Sequence, residues 1–114
     1  MLMLVEAVIR PQKVLEVKEA LKRIGVKGMT FTEVRGSGRQ RGFTQHHRGV
    51  EYVVNLIPKV KVEIVVLERE ARVVAQAILE SARTGEIGDG KIFLIPMGEA
   101  IRIRTGEENR DAIE

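Results

Sequence analysis

Three short motifs carry the polar groups able to hold an anion. Residues 85–91 read Gly-Glu-Ile-Gly-Asp-Gly-Lys. Glycines let backbone amides approach an anion closely, and the following Lys91 adds a fixed positive charge. The text also fits the start of a G-x-x-x-x-G-K phosphate loop. However, Ile92 stands where a magnesium-binding Ser or Thr is required, and the motif lies between a helix and a strand, the reverse of the strand–loop–helix context. A P-loop nucleoside triphosphatase is therefore rejected, while the anion logic survives. Residues 101–106 read Ile-Arg-Ile-Arg-Thr-Gly. On a strand, alternation sends Arg102 and Arg104 to one side, and two guanidinium forks side by side suit a polyphosphate. With Lys91 they form a candidate three-cation site. The competing readings are a plain tight turn at 85–91 and a solvated edge at 102–104.

The third motif is Gly38-Arg39-Gln40-Arg41-Gly42, with Lys59 beyond it. A glutamine offers a carbonyl oxygen to a metal ion or a donor to a carboxylate. A lysine pairs with a carboxylate. A small dicarboxylic acid fits that pair, and the spacing alone leaves the ligand open. The only tyrosine, Tyr52, follows in Arg48-Gly-Val-Glu-Tyr. It reads as a modification site, a contact residue or a packed strand residue.

Positioning these motifs requires an alternation of strands and helices. Met3, Val5, Ala7 and Ile9 alternate over residues 2–10, which predicts a strand with one strongly buried face. Pro11 suits the first turn of a helix. Val14, Val17, Leu21 and Ile24 recur at helical spacing, and Gly25 is a natural stop. Residues 28–35 read as a second strand. Residues 51–66 regain strand character, with Pro58 marking a bulge or an edge position. A helix is predicted over 68–82 with Val73, Val74, Ala77, Ile78 and Ser81 as its inner stripe. The glycine turn follows, then a strand at 91–95 and a last short strand at 100–104. The tail, 107–114, reads as polar and frayed. The order β-α-β-β-α-β is the ferredoxin-like α+β arrangement, an antiparallel sheet with both helices on one face. The strands, 60–66 for example, are apolar on both sides. A large exposed apolar face marks an interface, so oligomerisation is the expected cover.

Composition narrows the function. The 114 residues fit one domain, residues 1–114, burying roughly 65% of the unfolded chain's surface. The absence of cysteine excludes disulfides, cysteine–zinc sites and thiol nucleophiles. Two adjacent histidines, His46 and His47, argue against a multi-histidine metal site. No run reaches the roughly 18 apolar residues of a membrane span, and the first residues lack a signal-peptide pattern, so a cytoplasmic location is expected. Between Val34 and Val50 lie four arginines and no acid, leaving 15 basic and 16 acidic residues elsewhere in the chain. The basicity thus belongs to one segment, rich in glycine, that reads as a long, mobile, exposed loop used for binding.

Taken together, Gly28-Met-Thr30, Glu33 to Gly36, Gly38 to Gly42, Arg48 to Tyr52, Pro58 to Lys61, Thr84 to Phe93 and Ile101 to Glu108 resemble the PII nitrogen-regulatory signal proteins, in order and spacing across essentially the whole chain. The resemblance implies a homotrimer with ATP and ADP competing for clefts between subunits. It implies that Gly28, Met29, Thr30, Gly36, Gly38, Arg39, Gln40, Gly88, Asp89, Gly90 and Lys91 line the nucleotide site, with Arg102 and Arg104 on the phosphates. It implies 2-oxoglutarate beside Mg-ATP, held by Gln40, Arg41, Gly42 and Lys59, with Gln40 on the magnesium. Residues 37–52 correspond to the family's T-loop, which docks onto an ammonium transporter and nitrogen-assimilation enzymes. Tyr52 matches the tyrosine that a uridylyltransferase modifies in many bacterial members. Three departures are visible: His47 replaces a neighbouring family tyrosine, residues 43–47 are particular to this chain, and Glu86 stands where relatives often carry lysine.

A nucleic-acid-binding module using the arginine loop is the alternative. One tyrosine and three phenylalanines give few stacking platforms, and a net charge of +3 is small, so nucleic acid is not expected as a partner. No nucleophile–base set or matched carboxylate pair emerges, so no enzyme activity is expected.

Overall fold

The computed structural model describes residues 1–37, 44–47, 50–53 and 56–114, with side chains outside 38–55. Strand β1 runs Leu2–Ile9 and helix α1 Val14–Arg23, entered through a 3-10 turn at Pro11–Lys13. The amides of Gly25 and Val26 return to the Lys22 and Leu21 carbonyls, and Gly25 at φ +91° closes the helix as a left-handed cap. Strand β2 spans Thr30–Gly36, β5 Ile57–Leu67, helix α2 Ala71–Ala82 and β6 Lys91–Met97. The sheet order is β2-β5-β1-β6, every neighbour antiparallel. This is the expected ferredoxin-like arrangement.

Alternation places Val5, Ala7 and Ile9 of β1 and Val60, Val62, Ile64 and Val66 of β5 on one face. Val17 and Leu21 of α1 and Ala71, Val74, Ile78 and Ala82 of α2 close over them to form the core. The expected inner stripe of α2 is thus corrected at Val73, which is 59% exposed; the buried stripe runs through Ala71, Val74, Ile78 and Ala82. Pro58 is an edge position as expected. It pairs with Arg35 of β2, while the β1 partner begins only at Val60, so its missing N–H interrupts no second ladder.

Three expectations change. The open sheet face is mixed rather than apolar throughout: Glu6 stands opposite both Glu63 and Phe93, and Lys61 lies across from Val8. The basic segment contains a two-stranded antiparallel hairpin, β3 Thr44–His47 against β4 Val50–Val53, where a loop was expected. Two residues, Arg48 and Gly49, separate these strands, a hairpin spacing legible in the sequence. Finally, the tail is not frayed. A short helix α3, Arg110–Ile113, follows Asn109, whose amide donates to the Ala100 carbonyl at 2.7 Å.

Candidate functional site

Helix α2 ends at Ala82, and the chain reaches β6 through residues 83–90. Gly85, Gly88 and Gly90 sit at φ +91°, +104° and +97°, left-handed conformations that residues bearing a Cβ adopt only at a cost. Asp89 is the hub of this turn. Its carboxylate accepts the Thr84 and Gly85 amides, each at 2.8 Å, the Thr84 hydroxyl, and the Arg10 Nε at 3.0 Å. The Thr84 hydroxyl oxygen in turn accepts the Glu86 amide at 3.1 Å. Arg10 Nη2 donates to the Ile87 carbonyl at 2.9 Å, and Lys59 Nζ donates to the Gly88 carbonyl at 2.5 Å. The glycine turn is therefore clamped from inside by Asp89 and from outside by two cations. The Thr84 hydroxyl above all, then its amide, Arg10 and the Gly85 amide, hold the Asp89 carboxyl well below the usual range, against the opposing effect of burial.

Beside the turn lies a cavity of about 660 Å³, lined by Gly36 at the end of β2, Ser37 after it, Ile57 and Lys59 of β5, and Glu86 to Lys91. Lys59 is only 9% exposed. Burial pushes its ammonium pKa down, the Arg10 guanidinium adds to this, and Asp89 pulls it back. An ammonium so placed gains from an incoming anion, whose charge offsets the hydration that burial removes. The structure thus gathers Gly36, Lys59, Gly88, Asp89, Gly90 and Lys91 around one space. The Asp89 carboxylate is already engaged by the turn, so the carboxylate acts on the turn's own shape.

The remaining expected residues collect elsewhere. Gly28 lines a second cavity, about 600 Å³, with Ile64, Val65 and Leu67 of β5 and with Ile113 and Glu114. Thr30 opens β2, and Met29 packs against the core. Arg102 and Arg104 are not on a strand, which corrects the expected β-ribbon. Only a single bridge, Ile101 to Glu108, forms there. The Gly106 amide donates to the Arg102 carbonyl at 2.7 Å and the Arg102 amide to the Glu107 carbonyl at 2.8 Å, so the chain reverses at once. Gly106, at φ +74°, permits the turn. Arg102 Nη1 meets Glu107 Oε1 at 2.9 Å, and its Nη2 donates to the Ala112 and Glu114 carbonyls at 3.3 and 3.0 Å. Arg104 is exposed in the turn.

Lys91 begins β6, while Arg102 follows its far end at Met97. Seven strand residues separate those ends by about 20 Å. Within one chain, Lys91 lines the cavity beside the glycine turn, and neither arginine does. The expected residues form two half-sites, Gly28 with Arg102 toward one end of the sheet, and Gly36, Lys59 and the glycine turn at the other. Gly38, Arg39, Gln40, Arg41 and Gly42 lie outside the described residues. Tyr52 falls in β4, opposite Gln45, with its side chain outside the description. Among the described residues, no three His, Asp or Glu side chains cluster as metal ligands.

Arg10 and Thr84 were not among the expected site residues. Thr84, five residues before Asp89 with glycine between, had a sequence signal for a side-chain-closed turn. Arg10 had none, because its partners lie 77 and 79 residues away.

Comparison with known proteins gives matches over nearly the whole chain. The family described as Nitrogen regulatory protein P-II matches residues 2–107. The chain is 55% identical to the nitrogen regulatory protein P-II of Pasteurella multocida and 56% identical to that of Haemophilus influenzae. In both cases the alignment spans 109 residues, 96% of this chain and 97% of the other. Among solved structures it is similar to Arabidopsis thaliana PII bound to citrate, at 40% identity and a TM-score of 0.81, over 99% of this chain and 90% of that one.

Proposed function

The chain belongs to the P-II family of nitrogen regulatory proteins, and from that premise we propose that it is a regulator, not an enzyme, that reads ATP against ADP together with 2-oxoglutarate. The observation that carries this reading is the cavity where the buried Lys59, Lys91 and the left-handed glycines Gly88 and Gly90 face one space. Lys59 suits a ligand carboxylate, and the glycine turn suits phosphate oxygens. That a solved relative binds citrate, a polycarboxylate, supports a carboxylate ligand.

The half-sites at opposite ends of the sheet favour assembly. A nucleotide touching both needs one end of one subunit beside the other end of the next. Such a head-to-tail contact gives a ring where its rotation closes, and the family resemblance makes that ring a homotrimer. Arg102 and Arg104 of one subunit then meet the phosphates held by Lys91 and Gly88 to Gly90 of another, with Gly28, Met29 and Thr30 alongside. Arg102 exchanges its bonds to the tail carbonyls for phosphate oxygens. Magnesium fits only as an ion carried largely by its ligands. Gln40 is its protein donor, and phosphate and 2-oxoglutarate oxygens supply the rest. Gly36, Gly38, Arg39, Arg41, Gly42 and Lys59 complete the effector site.

The segment 37–52, joined to this site at Gly36, presents its hairpin to partners: an ammonium transporter and nitrogen-assimilation enzymes, with Tyr52 open to uridylylation. The protein is cytoplasmic and meets the membrane only through the transporter. A ligand shifts the arm only by its differential affinity for two arrangements. Calorimetric titration with ATP and with ADP, each with and without 2-oxoglutarate, tests the reading. ATP and ADP are expected to compete, and 2-oxoglutarate to bind only with Mg-ATP. Gln40→Ala should remove 2-oxoglutarate binding while sparing ADP; undiminished 2-oxoglutarate affinity in that variant sinks the assignment.

A further inference from the structure

We propose that Arg10 is a positioning residue for the nucleotide-binding turn, seating residues 84–90 against the end of β1 and serving as the internal counter-ion of Asp89. This inference rests on the nucleotide reading of that turn.

The geometry has three parts. First, Arg10 precedes Pro11, which restricts it to extended backbone, and it is found there at φ −66° and ψ 140°. The root of its side chain is thus fixed by the sequence itself. Second, its guanidinium spans two points of the turn, Nε on Asp89 Oδ1 at 3.0 Å and Nη2 on the Ile87 carbonyl at 2.9 Å. Both members of the ion pair are largely screened, their side chains 18% and 23% exposed. A planar fork holds two acceptors in a set relation, which a point charge does not. Third, Gly90 lies against β1 so closely that a Cβ there would stand 1.6 Å from the Val8 carbonyl oxygen. The turn is seated at two places on the last residues of β1, and Lys91, paired with Val8, takes its position from that seat.

Charge supplies the functional consequence. Asp89 places a carboxylate beside a cavity meant for phosphate. With Arg10 on one of its oxygens that charge is compensated. Without Arg10 it repels the ligand, and the turn loses its tie at Ile87.

Arg10→Met, Arg10→Lys, Arg10→Met with Asp89→Asn, and Lys91→Ala test this in the full-length protein, with ATP and ADP titrated by calorimetry, unliganded melting temperatures recorded, and amide exchange followed over 85–90. Arg10→Met is expected to weaken ATP and ADP about 10-fold or more, as supporting residues of a site commonly do. Arg10→Lys should fall between it and the wild type, and adding Asp89→Asn should recover part of the loss by removing the uncompensated carboxylate. Exchange should quicken at 85–90 and slow again at saturating ATP. If Lys91→Ala loses nucleotide while Arg10→Met binds as the wild type does, the positioning role is overturned and the nucleotide reading stands. A lowered melting temperature with unchanged affinity overturns it equally. If the wild type binds neither nucleotide, the nucleotide reading falls and this inference with it.

Discussion

The α-carbon of Gly90 faces the carbonyl oxygen of Val8 so closely that a Cβ would stand 1.6 Å from that oxygen and 2.7 Å from its carbon. Both contacts are to backbone in the middle of a sheet, which cannot give way as a flexible side chain can. Gly90 also has φ +97°. Gly90→Ala therefore suffers conformational strain, about 1–3 kcal/mol for a non-glycine residue in such a region, plus the displacement of β6 from β1. A marked drop in urea midpoint is expected. Gly98→Ala, with open space around its Cβ, should stay within about 0.5 kcal/mol of wild type.

The packing of α2 makes a second contrast. Ile78 is fully buried and Val73 is 59% exposed. Ile78→Ala should cost about 2–5 kcal/mol by transfer and cavity formation. Val73→Ala should change stability by less than about 0.5 kcal/mol in the isolated subunit. Denaturant midpoints measured side by side decide this, and equal costs would mean that the helix is rotated from the orientation described.

Acid should expose the Asp89 clasp. The folded carboxyl is held below its unfolded value, so its contribution to stability is complete above the ordinary carboxylate pKa of about 3.9 and is lost as pH falls through the lower folded value. The stability gap between wild type and Asp89→Asn should thus be constant from pH 7 to about pH 5 and narrow below about pH 4. Urea titrations across that range check the sign. A gap that widens in acid would show that Asp89 is not held ionised by Thr84, Gly85 and Arg10.

Complementation tests the division of the nucleotide site between subunits. Lys91→Ala and the double variant Arg102→Ala with Arg104→Ala should each lose ATP binding, since removing a charge-assisted contact from a buried phosphate costs about 2–5 kcal/mol. When the two variants are refolded together, about a quarter of the junctions in a closed ring pair an intact half from each and should bind ATP normally. Recovery of no sites at all would place both halves in one chain.

Much of the fold was legible because its causes are local. Alternating Val5, Ala7 and Ile9, helical spacing at Val17 and Leu21, and Gly25 and Pro58 as punctuation each act over a few residues, and the observed elements follow them. The errors fell where two patterns overlapped or where a reversal intervened. On α2, neighbouring apolar residues left the choice between Val73 and Ala71 to the sheet beneath. At 101–106, an alternation of Ile and Arg resembles a strand, but a strand needs a partner. The Gly106 turn brings the tail back instead, leaving Arg102 among tail carbonyls.

For the candidate site, residue types and spacing alone determined the glycine turn, the cations Lys59 and Lys91, and the family to which the chain belongs. Only tertiary structure decided how they are held. Arg10 reaches Asp89 and Ile87 because antiparallel pairing sets the end of β1 beside the start of β6. Tertiary structure also separated the glycine turn from Arg102 by the length of β6, because a strand is stiff and its two ends cannot meet. Local patterns are written in neighbouring residues, whereas hydrogen bonds across 77 to 79 positions depend on strand order, which no short stretch of sequence encodes.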